Sequence, residues 1–162
     1  MFLEDIPLDQ EIHLGSYQFT EKNIKSFAEK YDPQRFHLST EAAADTHFGA
    51  LCASGWHTVS AWMRAMVKYT TKLHIEKIKS GANPARVGPS PGFDDLRWLK
   101  PVFVGDTIDY YTAPFETRPS RSKPEWGILR AHNEGRNQNG DVVLRFTSTV
   151  FLERKNKGTG SN

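Results

Sequence analysis

Residues 48–69 constrain the fold more than any other stretch, because a turn of small residues, Ala53-Ser54-Gly55, leads directly into the longest helical apolar pattern in the chain. Trp56, Val59, Met63, Met66, Val67 and Thr70 recur at three- and four-residue steps, while His57, Arg64, Lys68 and Lys72 fall mostly between them. That spacing predicts a helix with one broad stripe facing a core. Trp62 and Tyr69 widen the stripe, so the helix is expected to touch protein over much of its circumference. Ser54 suits an N-cap, Gly55 lets another group approach the backbone, and the first free N–H groups of a helix favour negative charge.

The elements around this helix follow from local pattern. Residues 11–19 alternate Ile12, Leu14 and Ser16 with other side chains and predict a first strand. Thr20 then reads as an N-cap, Ile24, Phe27, Ala28 and Tyr31 follow at helical spacing, and Pro33 disfavours helical geometry at Asp32, so a short helix should end there. Residues 33–51 mix short helical pieces such as Thr40–Ala44 with Gly49. Residues 80–92 hold Gly81, Pro84, Gly88, Pro89, Pro91 and Gly92 and predict a loop. Beyond it, residues 93–99, 107–115, 125–133 and Val142–Glu153 read as strands, with Asn139-Gly140 as a short-hairpin signal. In the last strand Leu144, Phe146, Ser148, Val150 and Leu152 share the face assigned to the core. A strand, a short helix, a long helix and four antiparallel strands make an α+β fold.

The chain has 162 residues, which predicts one domain over residues 1–154, with the polar tail 155–162 expected to be disordered. Its start lacks a cationic segment followed by an apolar core, and no run approaches 18 apolar residues, so neither a secretory signal nor a membrane span is expected. The cytoplasm is the expected location, and the single cysteine, Cys52, reads as a small buried residue. Residues 1–48 are acidic and the remainder basic, an asymmetry too mild and dispersed for a nucleic-acid arm but favourable to phosphates. His37, Asp45, His47, Cys52 and His57 match none of the usual metal-ligand spacings, so no metal site is expected.

Three stretches, in order, resemble the MaoC-like hydratase family of the hot-dog fold. The segment from Phe27-Ala28 through Tyr31-Asp32-Pro33-Gln34-Arg35-Phe36-His37 is similar to the hydratase motif, with Asp and His five residues apart. Ser54-Gly55 falls where the family usually has a His-Gly pair, and residues 100–106, Lys-Pro-Val-Phe-Val-Gly-Asp, resemble its later strand entry.

The resemblance implies a curled antiparallel sheet wrapped around one helix, pairing of two such units, and addition of water to, or its removal from, an acyl thioester of coenzyme A or a carrier protein. No cofactor is implied, since the acyl-CoA is itself the substrate. Asp32 and His37 map onto the catalytic pair, and the Gly55 N–H onto the oxyanion contact. The residue types suit the chemistry: hydration beside a thioester needs a group to activate water, a proton for the α-carbon and a donor for the enolate oxygen. Ser54, Trp56 and His57 are candidate substrate contacts, and some of Arg86, Arg97, Lys100, Arg118, Arg121 and Lys123 are expected to meet CoA phosphates. Ser54 lacks the Gly-x-Ser-x-Gly surroundings of a nucleophile.

Two departures bear on the acyl group rather than on the pair. Gln34-Arg35 stands where many relatives have Asn-Pro, and Met63 stands where many have a Ser eight residues after the helix glycine. A non-catalytic acyl-binding module and a hot-dog thioesterase are the alternative readings, because fold alone does not decide chemistry. A homodimer or larger homo-oligomer is expected, since an open sheet leaves edges to be covered.

Overall fold

The computed structural model describes residues 1–155. After a 3-10 turn at Leu3–Asp5, the chain forms β1 (Ile12–Gln18), α1 (Glu21–Tyr31), α2 (Arg35–Leu38), α3 (Thr40–Ala44), α4 (Gly55–Lys79), β2 (Gly92–Trp98), β3 (Thr107–Pro119), β4 (Trp126–Arg136) and β5 (Val142–Glu153). The five strands form one antiparallel sheet in the order β1-β3-β4-β5-β2, which leaves β1 and β2 as its edges. With α4 packed against it, this is the hot-dog arrangement.

The inner face of the sheet follows the alternation of β3 most closely, and β4 and β5 add to it. Ile108, Tyr110 and Thr112 of β3 are buried, as are Ala131 and Asn133 of β4 and Leu144 and Phe146 of β5. Tyr110 is fully enclosed, and its hydroxyl donates to the Thr58 carbonyl oxygen of α4 at 3.0 Å, so a buried polar tip is satisfied where sheet meets helix.

The face of α4 that meets the core differs from the expected stripe. His57, Thr58, Ala61 and Trp62 are buried, with Val59, Ala65, Met66 and Tyr69 partly covered, whereas Trp56, Met63 and Val67 are exposed. The physical reason is close approach: Thr58, Ala61 and Ala65 recur at helical spacing and let the backbone come near the sheet, while Trp56, Met63 and Val67 point away from it. Trp62 anchors this face edge-on to Phe146, with ring centroids 4.7 Å apart.

Two smaller expectations also change. The turn between β4 and β5 takes five residues, 137–141, with Gly140 at φ 83° and the Asn137 side chain accepting from the Asn139 and Asp141 N–H groups. Lys155, expected to open a disordered tail, pairs with Asp5 and donates its N–H to Glu4. The rest of that tail, residues 156–162, lies outside the described residues. No described helix is long and apolar enough to cross a membrane.

Candidate active site

Asp32 owes its place to the end of α1. Thr20 caps the helix start by accepting the Asn23 N–H, and the last turn closes with the Asp32 N–H donating to Ala28 at 2.9 Å. Pro33 then keeps Asp32 out of helical geometry, at φ −154° and ψ 69°. The chain re-enters helix at once in α2, which carries His37 back toward Asp32.

The segment before α4 is pinned from both sides. The Cys52 N–H donates to Phe36 at 3.3 Å and the Ala53 N–H to Val102 at 2.8 Å. The Cys52 carbonyl oxygen accepts from His37 Nδ1 at 2.7 Å. A backbone carbonyl can only accept, so Nδ1 carries the proton and the other ring nitrogen, Nε2, has a free lone pair in the neutral imidazole. Nε2 lies 3.4 Å from Asp32 Oδ2.

Both Asp32 oxygens are engaged. Oδ2 accepts the Ser54 hydroxyl at 2.6 Å and Oδ1 accepts Gln34 Nε2 at 2.8 Å. Partial burial pushes the carboxyl upward, but these two hydrogen bonds and the nearby His37 outweigh it and hold Asp32 below the usual carboxylate range. Asp32 is therefore ionised at neutral pH.

Asp32, His37, Ser54, Gly55, Trp56 and Lys100 all line one cavity of about 450 Å³, whose walls also include Gln34, Phe36, Phe48, Thr58 and Trp98. The Gly55 N–H, the first of α4, has no acceptor among the described residues. A Cβ on Gly55 would come within 2.5 Å of Trp98 Cε2, so only glycine admits the indole at this helix end. Trp56 meets the same indole edge-on at 5.3 Å.

Three expected substrate contacts are not in the cavity lining. His57 is buried on the opposite side of α4, stacked on Phe27 at 4.6 Å with Nε2 3.2 Å from the Tyr17 hydroxyl. Arg86 pairs with Glu153 at 3.0 Å and lies over the Trp126 ring. Arg97 sits on β2 opposite Arg145. Arg86 adjoins the end of β5, whereas Lys100 pairs with Asp141, just before β5 begins, at 2.7 Å. At about 3.3 Å per strand residue the two ends are tens of ångströms apart. Arg118, Arg121 and Lys123 lie at the β3–β4 turn, with Arg86 rather than with Lys100. Ser54 lines the cavity, but its hydroxyl, 1% exposed, is engaged by Asp32 and the Trp56 N–H.

Sequence reasoning missed Trp98, the Cys52 carbonyl and the donor role of Gln34. For Trp98 the signal was indirect, a glycine at a helix start that leaves room for a ring. The Cys52 thiol takes no part as a nucleophile, since burial pushes it up to about 11. Among the described residues no group of three or more His, Cys, Asp or Glu is placed to hold a metal ion.

Comparison with known proteins places this geometry in context. The chain is 32% identical to the MaoC-like dehydratase of Rhodospirillum rubrum, whose structure superimposes with a TM-score of 0.80 over 96% of this chain and 98% of that one. It is 25% identical to the uncharacterised protein YdeM of Bacillus subtilis over 95% of this chain and all of the relative. The unliganded (R)-hydratase PhaJ1 of Pseudomonas aeruginosa, at 19% identity, shares the fold with a TM-score of 0.64 over 95% of this chain and 86% of that one. The family described as MaoC like domain matches residues 6–133, and the chain belongs to it.

Proposed function

We propose that this protein is a hydratase/dehydratase that adds water to, or removes it from, the α,β double bond of an acyl thioester, with Asp32 and His37 as the catalytic pair. The observation that carries the reading is the 3.4 Å approach of His37 Nε2 to Asp32 Oδ2 at the wall of a cavity that also contains the unpaired Gly55 N–H. Both facing atoms are acceptors when the imidazole is neutral. A water seated beside the pair can donate a hydrogen to each.

In the hydration direction that water gives a proton to His37 Nε2 while its oxygen bonds to the β-carbon. The double-bond electrons move to the thioester oxygen, where the Gly55 N–H and the start of α4 stabilise the enolate charge. The imidazolium, held beside the Asp32 carboxylate and still donating Nδ1–H to Cys52, then returns the proton to the α-carbon. One molecule of water is consumed, and hydroxyl and proton arrive from the same face. Dehydration runs the same steps backward through the same groups.

The dehydratase relative supports this reaction class, and the aromatic walls of the cavity suit an apolar acyl group. Lys100, half-exposed at the cavity and paired with half-buried Asp141, is the residue we assign to a phosphate of CoA or of a carrier's pantetheine arm. The exposed Trp56, Met63 and Val67 of α4, together with Trp98 and Phe93 of edge strand β2, suit burial against a second copy, so the working unit is a homodimer in the cytoplasm. A single 18.4 kDa species in sedimentation at micromolar concentration would contradict the dimer.

The test is a panel of enoyl-CoA substrates of increasing acyl size, followed by loss of the conjugated double bond. Hydration of at least one member is expected. Release of free CoA thiol with the double bond intact would point to a thioesterase, and tight binding without turnover to an acyl-binding module.

A further inference from the structure

Ser54 occupies a junction that neither an N-cap nor a substrate contact explains by itself. Its Oγ accepts the Trp56 N–H at 3.2 Å in the first turn of α4 and approaches Asp32 Oδ2 at 2.6 Å. A backbone N–H can only donate, so the hydroxyl offers it a lone pair and its single proton is left for the carboxylate. The residue is 1% exposed, which leaves no solvent to compete for that proton. Gln34, which holds the other carboxylate oxygen, is exposed and so a looser partner.

We propose that Ser54 is a positioning residue that ties the first turn of α4 to Asp32 and holds Oδ2 toward the His37 ring. The proposal rests on the hydratase reading for its catalytic consequence, but the contact itself can be tested without turnover. Fixing Oδ2 through α4 puts the water-binding pair and the Gly55 N–H on one rigid base. The relative position of water and enolate oxygen is then set by a single helix end. The direction of the Asp32 shift agrees, because a donated hydrogen bond favours the ionised carboxylate.

The test uses the Ser54→Gly variant, because glycine is nearly as good as serine at an N-cap while it lacks the hydroxyl. Asp32 is titrated by carboxyl-carbon NMR, its signal assigned by loss in Asp32→Asn. In Ser54→Gly the carboxyl is expected to titrate at higher pH than in the wild type, and Ser54→Thr, which keeps the donor, is expected to restore the titration. On the best thioester, kcat should fall roughly 10- to 100-fold with KM little changed. A merely structural role would lower activity without moving the Asp32 titration. An unmoved Asp32 titration in Ser54→Gly would overturn the proposal. If the titration moves but the wild-type protein hydrates no thioester, Ser54 still positions Asp32 and it is the hydratase reading that fails.

Discussion

His37 Nδ1 donates to the carbonyl oxygen of Cys52 across 2.7 Å, and this contact sets which ring nitrogen faces Asp32. The neutral imidazole is accordingly expected in the Nδ1–H form. Nitrogen-15 NMR of the ring at a pH where it is neutral should show a protonated Nδ1 and a bare Nε2. A protonated Nε2 would remove the lone pair on which the proposed proton transfer depends.

Asp32 itself should stay in its working form until pH falls below the usual carboxylate range. The working form of Asp32 is the carboxylate, and the hydrogen bonds from Ser54 and Gln34 outweigh the opposing effect of burial to hold it ionised below the usual carboxylate range. Turnover limited by this group is fully present at neutral pH and is lost as pH falls through the depressed pKa. Carboxyl-carbon NMR showing Asp32 titrating above the ordinary Asp value of 3.8 would contradict that assignment.

His57 makes a stability prediction separate from catalysis. Burial holds this imidazole neutral and pushes its pKa from 6.5 down to about 4. Between those values the unfolded chain binds a proton that the fold excludes. Stability is expected to fall as pH drops from about 6.5 to about 4 and to level off below, with a contribution on the order of 1–3 kcal/mol. Urea unfolding of His57→Phe should show a flatter pH dependence over this window. An equal slope in both proteins would place the titrating group elsewhere.

Gly55→Ala should damage the site through Trp98. The added Cβ would lie 2.5 Å from one indole atom and 2.6 Å from another, so the ring must move or the helix start must shift, at roughly 1–3 kcal/mol. Thermal unfolding and turnover should both decline. Trp98→Ala in the same chain should relieve the clash, so the effects of the two substitutions should not add. Additive losses in that double-mutant cycle would mean that the two residues do not press on each other.

Much of what positions the site was legible because it is local. Pro33 after Asp32 fixed the end of α1, and alternation marked the strands, with Val142–Glu153 matching to the residue. The face of α4 was not legible: the helix has apolar residues on more than one side, and periodicity alone does not say which side meets this chain's own sheet. Thr58, Ala61 and Ala65 won that face because small residues permit close approach, and His57, outside the core stripe by periodicity and expected at the substrate, is instead enclosed by aromatic rings. The cationic residues divide between two ends of the sheet for a topological reason. Arg86 and Lys100 look close in sequence, yet β2 runs antiparallel to β5 and sets them at opposite ends of that strand.

The most direct measurement compares the wild-type protein with Asp32→Asn and His37→Gln on the best member of an enoyl-CoA panel, reading both the conjugated double bond and free thiol. The wild type is expected to consume the double bond without releasing thiol, and each variant to remain folded by circular dichroism while losing about 10² to 10⁴ in kcat. Near-wild-type rates in either variant, or thiol release with the double bond intact, would contradict the assignment of hydratase chemistry to this pair.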